Sequence, residues 1–380
     1  MLRKTPASLL FAVSFSLHCF AQGPSVAPCI ADLESLPGFL LENDAGARDH
    51  LAQFGQKHFD DALAEARTAA SQIRGNASCA PVLNKYLRAW RRGHLSVEDI
   101  PGASNAAAAP RQPAPQTPPQ NPEDAPAIEI LSAKTLRLTL KSFQPWNREP
   151  LAALIAAHRA DLESHPNWIV DVRGNPGGSD SSYFPLRPWL MPDEIVDANT
   201  EVLATPANIE GWTHACALLA PGDTECEKSL SGGIERMRNA APGTYVNMGD
   251  GARTSYYRVD RPEPHRPSRV AIFIDGGCGS TCEQFAIDAR QSFSVRLVGQ
   301  HTYGSLDYSN VRPHDLPSGR RRLMYATTRS TRIPGLMVDV VGVQPDVYLP
   351  VEAGNRSGDD EVLRVQSWLE GGTLAPSGAK

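Results

Sequence analysis

The sequence predicts an α/β domain preceded by a small helical region, and three observations carry that prediction. Beyond residue 126, short apolar runs alternate with helix-patterned stretches, the arrangement of an α/β core. Two of those runs end in glycine-rich turns, RGNPGG at 173–178 and DGGCGS at 275–280. Ahead of residue 94 the apolar residues fall at helical spacing instead: Leu51, Phe54, Phe59 and Leu63, then Val82, Leu83, Tyr86, Leu87 and Trp90.

The elements follow in chain order. Residues 1–21, MLRKTPASLLFAVSFSLHCFA, have the three parts of a secretory signal: Arg3 and Lys4, an apolar run, and the small Ala21 for cleavage. The run is too short for a permanent membrane helix. Lipid attachment through Cys19 is the weaker reading, because His18 is a poor neighbour for it. The chain is therefore expected to be exported, to a periplasm or outside the cell. Residues 22–100 form the helical region, with Gly93 placed to end a helix and His94 next. Residues 101–126 hold eight prolines and almost no large apolar residue, which marks a linker. The α/β core is expected over 127–371, with a tail at 372–380. Within it, strands are predicted at 136–140, 168–172, 270–274, 295–298, 322–328 and 337–341, and helices at 151–162, 283–290 and 361–369. The less regular stretch at about 183–251 reads as an inserted cap.

A hydrophobic content of 41% with 21% charged residues describes a globular protein. The net charge of −5 becomes more negative once Arg3 and Lys4 leave with the signal, which argues against nucleic-acid binding. The run Arg320-Arg321-Arg322 reads as a solvated turn. No further stretch is apolar enough for stable membrane insertion. Six cysteines remain after residue 21, an even number that suggests disulfides in an oxidising compartment. Nearest-neighbour pairing gives Cys29–Cys79, Cys216–Cys226 and Cys278–Cys282, although sequence alone does not fix connectivity. Their spacing suits no zinc site, the phosphate-loop lysine and GxGxxG are missing, and no metal or organic cofactor is indicated.

DGGCGSTCEQF, residues 275–285, places Ser280 in a tight turn between a strand and a helix start. There its hydroxyl is exposed and backbone N–H groups lie nearby. An N-cap serine is the plainer reading of the same residue. VDVRGNPGG at 170–178 supplies a second turn whose Gly177 and Gly178 let N–H groups face outward, as an oxyanion needs. GCGSTC does not fit the GxSxG elbow of ordinary α/β-hydrolases.

Taken in order, IVDVRGNPGG, GGCGSTCEQFA, VGQHTYGSLDYSN and GVQPDVYLP resemble the serial motifs of the S41 peptidases, which comprise the C-terminal processing proteases, the tricorn core and their relatives. The resemblance covers about residues 128–369. It implies a ClpP/crotonase-like α/β core, Ser280 as nucleophile, and oxyanion donors at the backbone N–H of Gly177 or Gly178 and of Thr281. In the processing branch the base is a lysine after the TxG motif. Here Ser305 stands at that place, Ser309 stands where a glutamine would orient the lysine, and no lysine occurs between Lys228 and Lys380. The tricorn-like branch takes a histidine from ahead of the core, and YLRAWRRGHLSV resembles that segment, so His94 is the expected base. His301 and His314, beside the TxG segment, are its rivals. Gly93 stands where the tricorn core has a serine, which leaves the third member open between Asp307, placed first, and Glu283.

The resemblance implies an exported serine endopeptidase or carboxyl-terminal-type peptidase that cleaves peptide or protein substrates through an acyl-enzyme. The stretch between His94 and residue 128 is too short and polar for the PDZ module of the processing proteases. The alternative is a non-catalytic member of the same fold that binds an apolar ligand or a protein.

Overall fold

The structure, a computed structural model, describes residues 26–74, 78–102, 124–219, 224–249, 251–260, 266–350 and 358–373. The signal-like segment 1–21, nearly all of the proline-rich linker and most of the 372–380 tail lie outside them. No helix among the described residues is long and apolar enough to cross a membrane.

Four helices open the fold: α1 (Val26–Asn43), α2 (Ala47–Phe54), α3 (Gln56–Ser71) and α4 (Ala80–Trp90), followed by β1 (Leu95–Asp99). Their apolar stripes meet in one cluster with Leu33, Leu36, Phe59, Leu83 and Leu87, and Cys29–Cys79 ties α1 to the start of α4. The cluster is completed by Leu323 and Tyr325 from far along the chain. The helices thus bury their apolar faces on a sheet of the later chain, and this brings the residue after Gly93 to the core.

The central region runs β2 (Ala127–Ile130), β3 (Thr135–Thr139), α5 (Arg148–Ala157), α6 (Arg159–Ser164) and β4 (Asn167–Asp171). The helix expected at 151–162 is two helices, broken at His158, whose backbone leaves the helical region. Next come α7 (Arg187–Leu190), β5 (Glu194–Ala198), β6 (Thr200–Ala204), α8 (Pro206–Thr213), α9 (Ala215–Leu219), α10 (Thr224–Asn239), β7 (Thr244–Asn247) and β8 (Thr254–Arg258). The chain closes with β9 (Arg269–Ile274), α11 (Thr281–Arg290), β10 (Val295–Gly299), β11 (Tyr308–Asp315), β12 (Arg321–Ser330), β13 (Val347–Tyr348) and α12 (Gly358–Leu369).

The main sheet has the order β13-β10-β9-β4-β3-β2, parallel throughout except for β2. Burial on both faces explains why its central strands are apolar without alternation. In β9, Val270, Ile272 and Ile274 pack with Phe285, Ala286 and Ala289 of α11. Ala271 and Phe273 face the other way, toward Val362 and Val365 of α12. Each such fully buried large side chain contributes about 1.5–3 kcal/mol. Because β4 and β9 are parallel neighbours with Asp171 opposite Phe273, their C-terminal ends lie side by side. The two glycine-rich turns therefore meet, at the end of a parallel sheet where sites of this architecture lie.

A second sheet, β1-β12-β6-β7 with β11 on β12, is antiparallel and joins the N-terminal region to the core. The expected cap at 183–251 is not a separate layer: β6 and β7 belong to this sheet, while β5 pairs with β8 and reaches past residue 251. Cys216–Cys226 bridges this segment, as nearest-neighbour pairing gives. Two expectations are corrected. Arg321 and Arg322 are not a solvated turn but the start of β12, where buried Arg321 pairs with Asp32 at 2.7 Å and Arg322 with Asp315 at 2.7 Å. Residues 337–341 are turns rather than a strand, because the backbone N–H groups of Val338 and Asp339 donate to the Asp307 carboxylate instead of to a neighbouring strand.

Candidate active site

Ser280 sits between β9 and α11 with φ 57° and ψ −123°, a conformation that a side chain rarely adopts. Three local devices hold it. The Ser280 N–H donates to Glu283 Oε2 at 3.0 Å. A disulfide joins Cys278 to Cys282 on either side, both fully buried. Gly177 of the neighbouring turn presses on it: a Cβ there would lie 2.8 Å from Ser280 Cβ and 2.6 Å from the Gly279 oxygen, so only glycine fits. Such strain gathers at functional sites when the surroundings over-determine it.

Glu283 is a clasp rather than a partner of histidine. Its buried carboxylate accepts from Ser280 N and Ser305 N on Oε2, and from Thr302 Oγ1 and Gly304 N on Oε1. Burial raises its pKa, and these hydrogen bonds oppose the rise. The carboxylate thus fixes the segment after β10 against the nucleophile turn.

His94 arrives from the N-terminal region, 186 residues from Ser280, and its Nε2 lies 3.0 Å from Ser280 Oγ. Its Nδ1 lies 2.7 Å from the Tyr308 carbonyl oxygen. A carbonyl only accepts, so Nδ1 carries the proton, and the bare Nε2 accepts from the serine hydroxyl. The backbone that presents the ring is unusual: Gly93 and His94 both have positive φ, 67° and 38°. A Cβ at Gly93 would fall 2.5 Å from Ser305 Cβ, so glycine is required there both by conformation and by space. Arg91 holds this bend from behind. It donates to the carbonyls of Gly93 (2.7 Å) and His94 (3.2 Å), and forms a buried ion pair with Asp44, whose Oδ1 also accepts the Gly46 N–H. Close packing strips water from the imidazole and pushes its pKa down to about 4, opposed by the Tyr308 carbonyl and assisted by Arg91. The ring is neutral at ordinary pH and able to accept a proton.

Of the rivals, His301 Nδ1 bonds the Thr302 carbonyl at 2.8 Å, and His314 stacks on Phe39 with ring centroids 3.8 Å apart. Neither is bonded to Ser280. Asp307, expected first as the third member, does not hold the imidazole: its Oδ2 accepts from Val338 N and Asp339 N. The place of a third carboxylate is taken by the Tyr308 carbonyl, the very next residue. Sequence reasoning missed this acceptor and the Asp44–Arg91 pair. A backbone oxygen leaves no trace in residue identity, and only the arginine two residues ahead of Gly93 hinted at the pair.

Among the expected oxyanion residues, the Gly177 N–H is engaged by Asn175 Oδ1 at 2.9 Å. Gly178 bridges Phe143 through its flanking peptide groups, which leaves its own N–H facing away. Among the described residues neither the Gly178 N–H nor the Thr281 N–H has an acceptor. A bare imidazole nitrogen thus meets the serine hydroxyl, and the Thr281 N–H lies beside Gly177 of the neighbouring turn. No group of three or more potential metal ligands occurs among the described residues.

No curated protein matches the chain. Among solved structures, mature CPAF superposes with a TM-score of 0.62 at 13% identity, covering 92% of this chain and 99% of that one. Mature CPAF complexed with lactacystin gives 0.62 at 12%, over 91% and 99%. A lipoprotein from Streptococcus agalactiae gives 0.50 at 13%, over 93% and 99%. At such identities the likeness is one of fold. The model of peptidase family S41 matches residues 134–349, more than half of the chain and both glycine-rich turns. The chain belongs to peptidase family S41, a family of serine-type peptidases.

Proposed function

We propose that the protein is an exported serine endopeptidase or carboxyl-terminal-type peptidase with Ser280 as nucleophile and His94 as its base. The observation that carries the reading is the 3.0 Å contact between His94 Nε2 and Ser280 Oγ, made between segments 186 residues apart. In this reading Nε2 takes the hydroxyl proton as Oγ attacks the peptide carbonyl. The oxyanion is received by the N–H groups of Gly178 and Thr281. The imidazolium then gives its proton to the leaving amine, and water repeats the sequence on the acyl-enzyme. The Tyr308 carbonyl keeps the tautomer and steadies the imidazolium through Nδ1–H, and Arg91 sets the bend that aims the ring. Glu283 and Asp307 act as positioning residues.

Export follows from the form of residues 1–21 and agrees with three disulfides in a chain of six remaining cysteines. The proposed organisation is a signal at 1–21, a base-bearing helical region at 22–100, a linker at 101–126 and a peptidase core at 127–371. Nothing in the site favours the ligand-binding alternative. The test is incubation of the mature protein with a denatured protein substrate, then mass analysis of the products and of the protein itself. Cleavage with an acyl group trapped on Ser280 supports the reading. Intact substrate and an unmodified serine across a broad peptide set would refute it.

A further inference from the structure

Beside the nucleophile the fold displays apolar surface and backbone strain that packing does not explain. Residues 331–342 leave β12 as a series of turns pinned to the strap 302–307. Val338 N and Asp339 N donate to Asp307 Oδ2 at 2.6 and 2.8 Å, while Asp339 Oδ1 accepts from Leu306 N and Asp307 N at 2.5 and 2.6 Å. Val340 N donates to the Gly304 oxygen at 3.1 Å. Each segment's carboxylate binds the other's backbone, so loop and strap form one rigid piece. That piece rests on the nucleophile turn: Tyr303 N donates to the Cys278 oxygen at 2.8 Å, and a Cβ on Gly279 would lie 3.5 Å from Tyr303 Cβ.

Val338 anchors this segment in the core, but other apolar side chains of it lie outside. Leu336, Val340 and Val341 are 77%, 65% and 55% exposed, and Tyr303 is 52% exposed. Val340 also has φ 75°, where a β-branched residue is a genuine outlier and glycine would sit without strain. The Val340 side chain is largely solvent-facing although its backbone is strained, and outliers of this kind gather at ligand clamps. Tyr303 lies against the Ser280 turn and Val340 against the adjoining Gly304, and this continuity argues for the polypeptide being cleaved as the occupant.

We propose that Tyr303, Val340 and Val341 form the subsite for an apolar substrate side chain flanking the scissile bond, so that the enzyme selects apolar over charged residues there. The proposal rests on the reading of Ser280 as nucleophile. An apolar pocket discriminates by roughly ten-fold or more for each well-buried group.

The test compares kcat/KM for peptides that differ only in carrying Leu or Asp at the residues flanking the cleaved bond. The wild type is expected to prefer Leu by at least about ten-fold. Val340→Gly should raise Tm by relieving the strain and yet narrow the Leu/Asp ratio several-fold, and Val340→Asp should narrow it further. A wild type without preference, or a ratio unmoved in both variants, overturns the subsite. So does a wild-type dimer that Val340→Asp dissociates with no change in the ratio, because a second copy would then cover the ledge. Cleavage by the wild type separates these outcomes from failure of the peptidase reading, in which neither peptide is cut and Ser280 takes up no fluorophosphonate.

Discussion

Two regions meet at the site, and they hold their residues by opposite means. The nucleophile turn is built locally: within the eight residues 276–283 lie the strained Ser280, the disulfide that brackets it and the carboxylate that accepts its N–H. The base is built from afar. His94 stands on a bend braced by Arg91, which pairs with Asp44, and its ring is tied to the backbone of Tyr308, 214 residues on. A local device tolerates movement of the rest of the fold, whereas a distant one makes activity depend on how the helical region docks.

The largest effects should come from the two residues on which the regions converge. Ser280→Ala and His94→Ala are each expected to lower kcat for peptide hydrolysis by at least about a thousand-fold. Because the two act as a unit, the double variant should be little worse than either one. A loss in the double variant equal to the product of the single losses would mean that the histidine acts independently.

Arg91→Met tests the distant device. It leaves Asp44 buried and unpaired, with an expected destabilisation of about 3–5 kcal/mol in denaturant unfolding. Adding Asp44→Leu removes the orphaned charge and should restore much of that stability. Hydrolysis should stay low in the double variant, since the carbonyls of Gly93 and His94 remain unbraced. Recovered activity would show that the pair matters only for folding.

The local device is tested by replacing Cys278 and Cys282 together with serine. A loop this short gives a loss of only about 2 kcal/mol, yet kcat should fall with KM little changed, because the turn that strains Ser280 is loosened. Replacing Cys216 and Cys226 in the same way should leave kcat alone, which separates the nucleophile's own staple from a remote one.

A smaller effect concerns the helix behind the nucleophile. Asp288 of α11 is pushed up to about 7 by burial first and then by Asp197, while Tyr183 and Gln284 hydrogen-bond it. A carboxyl raised from 3.8 in the unfolded chain stabilises the fold fully below that value and loses the contribution as pH rises through 7. Asp288→Asn should therefore raise Tm at pH 8.5 and change it little at pH 5.

The same contrast explains what the sequence made legible. Ser280 could be found because strand, glycine turn and helix start lie in one continuous stretch, and the buried strands of the α/β core followed from apolar runs such as VAIFI in β9. His94 was reached through resemblance and not through its own surroundings, since the contacts that place it are made by residues far along the chain. The Gly178 N–H was legible in its glycine-rich turn, whereas the Tyr308 carbonyl is a backbone group in no such motif, invisible in residue identity. Asp307 was read as a relay acid because of its place near the TxG segment, but its hydrogen bonds go to the 338–339 backbone. Those same bonds turn the alternating pattern MVDVV into turns, so one long-range contact accounts for both misreadings.

The most direct test of the account is the rate of fluorophosphonate labelling at Ser280 as a function of pH, in the wild type and in His94→Ala. Since the imidazole is held to about 4, the wild-type rate should stay level from pH 8 to about 5.5 and fall by half near pH 4 as Nε2 is protonated. The protein should also lose stability as pH falls from 6.5 toward 4, because the unfolded histidine binds a proton that the folded one refuses. In His94→Ala the labelling should all but vanish, with no inflection near pH 4. A histidine variant that labels at the wild-type rate, or a wild-type profile with no fall near pH 4, would contradict the pairing of Ser280 with His94.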